Sequence, residues 1–424
     1  MIDIKYVTAN PDVVTANCAA RNMPADIPGL IELYRASNAE FAKIGALRAE
    51  ANVNAKSMQG KISPEERQTL ILRGKDLKAV LQALEARIQP LRRQREAQLA
   101  LLPNLTHSST PTDKDRLLRY WHRPVLNFDP KGHESLAEIH DLIDFDAGAK
   151  VAGTKFYFLK NELVFLDLAL QRFVLDKLVA KGFTPMMTPD LARPEILEGI
   201  GFNPRGDTSQ VYNIEGHDLC LIGTAEIPLG GMFKDTLLKS DEVPIKIAGI
   251  SHCFRTEAGS AGKEGAGLYR VHQFTKVEMF VICQGDILVS DSIHGEIVAI
   301  EEEIFRDLGV PHRVMDIAAP DLGAPAYRKI DLEAWMPGRR IFGEVTSASN
   351  CTDYQARRLN IRAYPPPIEG GRPRYVHTLN GTAIATGRAM IAILENHQQE
   401  DGSILMPQAL LPYLPFDRIA GKVS

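Results

Sequence analysis

The feature that most constrains this fold is a heptad pattern between Pro64 and Leu102. Apolar residues recur there at steps of four and three, at Leu77, Leu81, Leu84, Ile88 and Leu91. Such a repeat gives a helix one narrow apolar seam, which a second helix must cover. At ~1.5 Å per residue the helix would be ~58 Å long, so a helical pair would project from the body of the protein as an antiparallel hairpin. The same seam is also compatible with a fragment of a four-helix bundle or with an oligomerisation coil.

The start of this helix is marked clearly. Ser63 is placed as the N-cap, Pro64 occupies the first helical position, and Glu66 completes a capping box. Pro90 lies inside the pattern and predicts a kink or a local loosening. The sequence therefore predicts one long helix with a weak point near its C-terminal third.

The stretch Ile27–Ser57 predicts the partner helix. Apolar side chains follow three/four spacing, with the small Ser37 filling one position, at Leu30, Tyr34, Phe41 and Ile44. Gly60 separates this helix from the next. The two stretches together predict the hairpin.

The charge is unevenly distributed along the chain. Residues 27–102 carry 13 Lys and Arg against 8 Asp and Glu, a balance of +5, whereas the whole chain has a net charge of −4, which leaves −9 for the rest. A basic appendage on an acidic body is typical of an arm that binds RNA. A mixed-charge helical surface explains the same numbers equally well.

Composition sets broader limits. The 424 residues are 45% hydrophobic and 24% charged, which is ordinary for a globular protein with two or three domains. No window approaches the ~20 apolar residues of a membrane span, and the N-terminus resembles neither a signal peptide nor a transit peptide. Five scattered cysteines without a CxxC pair favour a reducing compartment and argue against a cysteine-based zinc site.

The segment Phe254–Phe280 predicts two strands joined by the glycine-rich loop Gly259–Gly267. In the returning strand five residues at spacing two would share one face: Arg270, His272, Phe274, Lys276 and Glu278. Cations, an aromatic ring and a carboxylate on one face suit the wall of a pocket for a phosphorylated ligand. An edge hairpin with its charges in water is the alternative.

Other stretches of the body are less distinctive. Ser135–Ile143 has a helical pattern that Asp144–Asp146 would close, and Phe156–Leu159 predicts a strand. Ile287–Leu308 predicts a helix whose Glu301–Glu303 run is most simply a solvated face. These segments are expected to build the scaffold around the pocket.

Several common catalytic motifs are missing from the sequence. Gly262-Lys263 is followed by Glu264, so there is no phosphate-binding GxxxxGK[ST] loop. Ala258 rules out GxSxG around Ser260, and no HExxH pattern occurs among the 11 histidines. The sequence thus offers no motif for a P-loop enzyme, an α/β-hydrolase or a zinc protease.

Two runs in the pocket segment resemble a known family. Phe254–Lys263 reads FRTEAGSAGK and His272–Phe280 reads HQFTKVEMF. Together they resemble motif 2 of the class II aminoacyl-tRNA synthetases, and that of the seryl-tRNA synthetases in particular. The helix Asn161–Lys181 with Gly182 and the strand up to Pro189 resembles motif 1, and His377–Arg388 resembles motif 3. With the arm, the resemblance extends from Met1 to about Leu414.

The resemblance implies an α+β fold: the class II synthetase antiparallel sheet flanked by helices, with an N-terminal antiparallel α-helical coiled-coil arm. It divides the chain into a tRNA-binding domain at residues 1–105, whose arm spans about 27–102, a linker at 106–130 and a catalytic domain at 131–424. It also implies a homodimer formed through the motif 1 region.

The implied activity is serine–tRNA ligation. Members of this family activate L-serine with ATP and Mg²⁺ to seryl-adenylate and transfer the serine to the 3′ end of tRNA(Ser), whose long variable arm is held by the coiled coil; tRNA(Sec) is a further candidate acceptor. A cytoplasmic location is expected, with a mitochondrial or plastid matrix as the alternative, and no membrane partner is expected.

The resemblance also implies roles for individual residues. The implied catalytic residues are Arg255, Glu257, Arg270 and Arg388. The implied serine-binding residues are Thr224, Glu226, Arg255, Glu278, Asn380 and Thr382. The implied ATP-binding residues are Arg255, Glu257, Arg270, Val271, Phe274, Lys276, Glu344, Val345, Ser347 and Arg388. Glu344 and Ser347 would hold Mg²⁺, since a carboxylate with a hydroxyl and no nearby imidazole or thiolate suits a hard cation. The arm residues expected to bind tRNA are Arg87, Arg92, Arg93 and Arg95.

One departure from the family pattern stands out. After Gly262-Lys263 the family commonly has an acidic residue, Thr, Arg and Gly, whereas this chain has Glu264-Gly265-Ala266-Gly267. The missing arginine, at Ala266, bears on transfer to tRNA more than on activation. Two alternatives therefore stay open: a paralogue that loads serine or a related amino acid onto another acceptor, and a non-catalytic RNA-binding relative.

Overall fold

The protein forms two compact units. The structure, a computed structural model, describes residues 1–60, 62–122, 126–202, 209–258, 267–368 and 370–421. The first unit comprises Met1–Leu105 and the second Thr106–Ser424. No helix among the described residues combines the length and the apolar character needed to cross a membrane.

The first unit is helical. Its helices are α1 (Ile4–Ala9), α2 (Pro11–Ala20), α3 (Ile27–Ser57) and α4 (Pro64–Leu101). The two long helices pack against each other as the sequence predicts. The predicted capping box is confirmed: Glu66 N–H donates to Ser63 Oγ over 3.2 Å, and the Glu66 carboxylate accepts from Ser63 N–H. The helix continues through Pro90.

The seam between α3 and α4 differs from the prediction at one position. Leu77, Ile88 and Ile44 are buried in it, but Phe41 is 52% exposed. Glu40 occupies the seam position instead, because the heptad phase of α3 places residue 40, and not its neighbour, toward α4. The Phe41 ring is covered by Arg92, whose guanidinium carbon lies 5.1 Å from the ring centre.

The second unit combines one large sheet with helices. Its helices are α5 (His133–His140), α6 (Phe145–Ala152), α7 (Glu162–Ala180), α8 (Pro194–Ile200), α9 (Glu226–Gly231), α10 (Ile287–Asp307), α11 (Tyr354–Leu359) and α12 (Thr386–His397). Its strands are β1 (Arg116–Trp121), β2 (Ile143–Asp144), β3 (Phe158–Leu159), β4 (Thr184–Met187), β5 (Leu191–Ala192), β6 (Cys220–Leu221), β7 (Leu237–Leu238), β8 (Ile245–Phe254), β9 (Gln273–Cys283), β10 (His312–Asp316), β11 (Arg328–Met336), β12 (Ile341–Thr352), β13 (Arg362–Ala363), β14 (Arg374–Tyr375), β15 (His377–Ala385), β16 (Ile404–Leu405) and β17 (Arg418–Ile419).

Eight strands form the main sheet, in the order β1-β10-β11-β12-β15-β9-β8-β4. All neighbouring pairs are antiparallel except β4 and β8, which are parallel. A sheet of this kind with helices on both faces agrees with the predicted α+β class. Residues 106–130 were predicted as a linker. Part of this segment forms the edge strand β1 of the sheet.

Strand β9 contributes side chains to two apolar cores. Val277, Met279 and Val281 face the larger core, to which α7, α10 and α12 contribute. Phe280 and Ile282 face the smaller core, built with α8, α9 and α11. Because successive side chains of a strand alternate, the even-numbered residues before Phe280 lie on the side of the smaller core. This places the polar side chains of the strand's first half in a space that the apolar cores do not fill.

Two scaffold predictions are wrong, and a third is correct only in part. Asp144 does not close a helix; it is the N-cap of α6, accepting from Ala147 N–H over 2.8 Å. The Glu301–Glu303 run of α10 is not a solvated face as a whole, because Glu301 is fully buried and Glu302 is 4% exposed, while the side chain of Glu303 is 42% exposed. Glu301 faces β12, where it accepts from the Thr346 hydroxyl over 2.9 Å, and Glu302 accepts from Arg119. Of the strand predicted at 156–159, only β3 forms.

A substitution at Gly381 tests how closely α10 packs against the sheet. A Cβ at this position would lie 2.3 Å from Ile297 Cγ2 and 3.0 Å from Glu301 Oε1. We expect Gly381→Ala to lower the free energy of unfolding by about 1–3 kcal/mol, as overpacking does. Both tryptophans, Trp121 and Trp335, lie in the second unit, so urea unfolding followed by tryptophan fluorescence reports on this unit alone.

The matched control is Gly295→Ala, on the exposed side of α10, where an added Cβ meets nothing within 4 Å. This variant should be neutral or more stable by up to about 1 kcal/mol, because alanine favours the helix. Equal stability of the two variants would contradict the close approach of α10 at Gly381.

Candidate active site

A cavity of ≈ 470 Å³ opens beside β9, β12 and β15. Each residue that the sequence assigns to serine, ATP or metal lines it: Thr224, Glu226, Arg255, Glu257, Arg270, Val271, Phe274, Lys276, Glu278, Glu344, Val345, Ser347, Asn380, Thr382 and Arg388. These residues come from points up to 164 positions apart (388 − 224). The fold therefore brings the candidate residues together in one place.

The return segment of motif 2 is only partly a strand. β9 begins at Gln273, so Arg270 and His272 precede it, and a short 3₁₀ turn occupies Gly267–Tyr269. His272 does not line the cavity, contrary to the shared-face prediction; its ring stacks on Phe156 with 5.2 Å between centroids. The loop residues 259–266, including the unusual Ala266, lie outside the described residues.

One end of the cavity carries Glu226, which begins α9. The carboxylate is buried and its Oε1 accepts from Gln355 Nε2 over 2.6 Å and from Asn380 Nδ2 over 2.8 Å. Burial raises the pKa of the Glu226 carboxyl to about 7, and the negative charge of the nearby Glu278 raises it as well. Gln355, Lys276 and Asn380 have the opposite effect on this pKa. A buried carboxylate with a raised pKa binds an ammonium group well, because the positive charge of the ligand stabilises the ionised form of the carboxylate.

Thr224 both caps the turn before α9 and lines the cavity. Its hydroxyl accepts from the backbone N–H of Glu226 over 3.3 Å, as a capping side chain does, and it also lines the cavity. The turn that starts α9 is therefore part of the cavity wall, and the sequence motif Gly-Thr-Ala-Glu builds both features at once.

The floor of the cavity holds an internal ion pair. Lys276 Nζ lies 2.5 Å from Glu278 Oε2, and both side chains are buried. The Thr382 hydroxyl donates to Glu278 Oε2 over 3.3 Å, and Lys276 lies 3.4 Å from the same hydroxyl. Glu278 and Thr382 face each other in the register of β9 and β15, so the sheet itself fixes this pair. The arrangement offers a carboxylate and a hydroxyl to a small polar ligand.

The other end of the cavity carries arginines. Arg255 donates to the Gly223 carbonyl over 3.3 Å and covers the Phe274 ring, with 5.2 Å between its guanidinium carbon and the ring centre. Arg270 pairs with Glu257, whose φ of 53° is unusual for a residue other than glycine. Strained backbone of this kind persists where the surrounding structure holds it, often at functional sites.

Arg388, at the start of α12, contacts Glu344 of β12 and Tyr269 of the 3₁₀ turn. It donates to the Glu344 carboxylate over 3.0 Å and to the Glu344 carbonyl over 2.9 Å, and it lies over the Tyr269 ring at 4.5 Å. Burial alone would raise the pKa of the Glu344 carboxyl, but Arg388, with Lys329 and Arg255, lowers it below its usual value. Glu344 is therefore an anion at neutral pH.

A bulge in β12 places Glu344 and Ser347 on the same face. Leu332 pairs with Thr346 and Glu333 with Glu344, so Val345 is an extra residue in the ladder. Residues three apart in a regular strand point to opposite faces, and the extra residue restores a common face. The pair lies inside β12 and not at the end of a strand.

The donor set fits a magnesium ion better than zinc. The residues in the described ranges form no cluster of three or more His, Cys, Asp and Glu side chains that could hold a metal. Glu344 and Ser347 offer only two oxygens, and Mg²⁺ is typically bound by one or two carboxylates together with substrate phosphates and water. A site of this kind would be completed by its nucleotide.

Sequence reasoning missed four residues around the cavity. Tyr269 and Lys329 line it, Asp331 pairs with Ser347 in the sheet register, and Gln355 bonds to Glu226. Burial raises the pKa of the Asp331 carboxyl. The ammonium group of Lys329, 3.1 Å from Asp331 Oδ2, has the opposite effect on this pKa. The alternation of Lys329 and Asp331 in the segment that forms β11 was the available signal for two of them, whereas nothing in the sequence pattern marks Gln355.

Comparison with known proteins decides the family. Residues 1–106 match the family described as Seryl-tRNA synthetase N-terminal domain, and residues 210–397 match the tRNA synthetase class II core domain (G, H, P, S and T). A serine–tRNA ligase from Treponema denticola is 50% identical and covers 99% of this chain and 100% of its own. The chain belongs to the seryl-tRNA synthetase family. This confirms the resemblance on which the sequence interpretation was based.

Solved structures agree with this family. The seryl-tRNA synthetase from Pyrococcus horikoshii complexed with ATP has a TM-score of 0.90 and 39% identity, with all of both chains covered. The cytoplasmic serine–tRNA ligase from Naegleria fowleri in complex with AMP has a TM-score of 0.85 and 29% identity, covering 100% of this chain and 99% of its own. The predicted fold class is confirmed over the whole length of the chain.

The raised pKa of Glu226 predicts a pH-dependent stability. Because the folded-state pKa of about 7 exceeds the ordinary value of 4.5, the ligand-free protein loses stability as pH rises through this interval. Glu226→Gln removes the titration, so its stability relative to the native protein should increase by about 2–3 kcal/mol between pH 5 and pH 8. Urea unfolding followed by tryptophan fluorescence at the two pH values measures this difference.

Glu303→Gln is the control for this comparison. Lys177 and Lys181 lower the pKa of the Glu303 carboxyl, so it titrates below pH 5. Its stability difference from the native protein should stay constant between pH 5 and pH 8. A flat profile for Glu226→Gln as well would show that Glu226 is ionised throughout.

Proposed function

We propose that this chain activates L-serine with ATP and transfers it to tRNA(Ser). The observation that carries the proposal is that one cavity is lined both by the carboxylates of Glu226 and Glu278 and by the guanidinium groups of Arg255, Arg270 and Arg388. Carboxylates suit the ammonium and hydroxyl of serine, and guanidinium groups suit a triphosphate. The family membership of the chain supports the same reaction.

In the first step the carboxylate of serine attacks the α-phosphorus of ATP and pyrophosphate leaves. The amino acid supplies the nucleophile, so the protein needs no nucleophile or general base of its own. Arg255 donates to the carbonyl of Gly223, the residue before Thr224, and would contact both the serine carboxylate and the α-phosphate. Its charge stabilises the transition state, in which negative charge accumulates on the phosphoryl oxygens.

Arg270 and Arg388 would bind the outer phosphates. Each is held by a carboxylate in the ligand-free protein, Arg270 by Glu257 and Arg388 by Glu344. Phe274 offers a ring on which the adenine can stack, opposite Arg388. In the second step the 3′ hydroxyl of the tRNA attacks the seryl-adenylate and AMP leaves.

Glu344 and Ser347 are the residues that would hold Mg²⁺. When bound, the ion would supply positive charge that offsets the negative charge of the phosphates. Glu344 orients Arg388 through its 3.0 Å ion pair, so the same carboxylate would position the guanidinium and the ion together.

Selection of serine would depend on Glu278 and Thr382. A buried site built to bind a hydroxyl rejects alanine strongly, because its polar groups would be left unpaired. Threonine has to be refused by steric exclusion of its extra methyl group, which discriminates less strongly. The ion pair with Lys276 holds Glu278 in place across the floor of the cavity.

The helical unit is the proposed tRNA-binding part. Among the predicted arginines, Arg93 is exposed, Arg92 covers Phe41, Arg87 pairs with Glu40 over 3.5 Å, and Arg95 bonds to Ser37 over 3.3 Å. Arg92 and Arg93 are therefore the stronger candidates for contacts with phosphate. A paralogue that loads another acceptor would lack such an arm, which favours the tRNA substrate.

Homodimer formation through the motif 1 region is part of the proposal. Its support is the apolar surface of α7 and β4, where Phe165, Leu168 and Met187 are 51%, 58% and 83% exposed. Exposed apolar side chains concentrated on one element are typical of an interface. The cytoplasm stays the expected compartment, with an organellar matrix as the alternative.

The deciding experiment is ATP–pyrophosphate exchange with each of the 20 amino acids, without tRNA, followed by charging of tRNA(Ser). We expect exchange with serine and subsequent charging. Exchange without charging would favour the paralogue with another acceptor and point to Ala266. No exchange with any amino acid would favour the non-catalytic RNA-binding relative.

Glu278→Ala tests the serine site. The ratio of kcat/KM for serine over alanine should fall about 100-fold or more, while KM for ATP changes by less than about threefold, because the carboxylate contacts the side chain of the amino acid and not the nucleotide. Exchange kinetics with both amino acids measure this ratio. Glu303→Ala, which removes an exposed carboxylate of the same domain, should keep the native ratio. An unchanged ratio for Glu278→Ala would remove its role in selection.

A further inference from the structure

Gln355 is fully buried behind the wall of the cavity and makes three hydrogen bonds with its side chain. Its Nε2 donates to Glu226 Oε1 over 2.6 Å and to the carbonyl of Ile200 over 3.0 Å. Its Oε1 accepts from the hydroxyl of Thr378 over 2.6 Å. The residue thus joins α11 to the end of α8, the start of α9 and strand β15.

The orientation of the Gln355 amide follows from these partners. The carboxylate of Glu226 and the carbonyl of Ile200 can accept hydrogen bonds, so the NH₂ group has to face them. The oxygen then faces Thr378, whose hydroxyl can donate. A flipped amide would place its oxygen against two acceptors, which is unfavourable in a buried site. Thr378 therefore stabilises the one orientation in which Gln355 is a donor to Glu226.

This arrangement differentiates the two oxygens of Glu226. Oε1 receives hydrogen bonds from both Gln355 and Asn380. Oε2 receives none from the residues within the described ranges, and the side chain lines the cavity. With Oε1 held from two sides, the plane of the carboxylate is fixed and Oε2 is the oxygen available to a ligand.

We propose that Gln355 is a positioning residue for recognition of the amino group of the amino-acid substrate, with Thr378 fixing the orientation of its amide. Gln355 does not contact the substrate; it acts through Glu226, whose Oε2 it leaves directed to the substrate ammonium. This inference rests on the proposed function, because it assumes that an α-amino acid binds beside Glu226. A bond that merely attached α11 to the sheet would stabilise the protein without affecting substrate affinity.

The test uses the full-length protein in serine-dependent ATP–pyrophosphate exchange. Gln355→Met keeps the length of the side chain and removes its hydrogen bonds; we expect KM for serine to rise about 10- to 100-fold and KM for ATP to change by less than about threefold. Thr378→Val keeps the shape of the threonine and leaves Gln355 in place, so KM for serine should rise less, about three- to tenfold.

The matched control is Gln398→Met. Gln398 is another buried glutamine of the same unit, which bonds to Lys131 and to the Glu395 carbonyl. Its replacement removes a comparable set of hydrogen bonds away from the cavity, so it should lower stability to a similar degree and leave KM for serine unchanged. Tryptophan fluorescence confirms that each variant is folded.

A double variant separates positioning from an independent effect. If Gln355 acts through Glu226, then Gln355→Met in the Glu226→Gln background should raise KM for serine no further than Glu226→Gln alone. Additive effects, or a Gln355→Met variant with native KM for serine, would overturn the inference. If the native protein shows no exchange with serine, the proposed function itself fails, which is a different result from a native protein that is active and a Gln355→Met variant that matches it.

Discussion

The alternation of side chains along β9 is the constraint on which the second unit depends. Its odd-numbered residues from Val277 onward complete the larger core, whereas Phe280 and Ile282 complete the smaller one. The polar residues Lys276 and Glu278 come just before, where the sheet is no longer covered by an apolar core. A shift of this strand by one residue would place these charges in the larger core and expose its apolar side chains. The register that stabilises the fold and the register that forms the cavity are therefore the same.

Charge is balanced inside the cavity by local pairs. Lys276 pairs with Glu278, Arg270 with Glu257 and Arg388 with Glu344. Buried or half-buried ions need such partners, because an unpaired charge in a protein interior is costly. Glu226 is the different case, since its hydrogen-bond partners are neutral amides, and burial together with the nearby Glu278 raises its pKa to about 7. The cavity is thus complementary to a ligand that carries a positive charge beside Glu226.

Local patterns in the sequence predicted the long helices and the capping box, and the resemblance to a known family implied most residues of the cavity. Heptad spacing defines α4, and period-two polarity marks Phe274, Lys276 and Glu278. Prediction failed where a residue's environment is determined by distant parts of the chain. Glu301 lies in an acidic run that reads as solvated, yet the absence of a side chain at Gly381 lets α10 approach the sheet and bury it. Gln355 was missed for the same reason, because its three partners come from three other elements of the fold.

The pairing of Arg270 and Arg388 with carboxylates has a consequence for ligand selectivity. A small anion such as free phosphate could displace only one carboxylate at a time, and would gain little by exchanging one anionic partner for another. In the proposed binding mode, a nucleoside triphosphate would reach both guanidinium groups in a single binding event and bring an adenine ring to Phe274 as well. The carboxylates therefore compete with partial ligands for the guanidinium groups, whereas the complete nucleotide would gain contacts at several points at once.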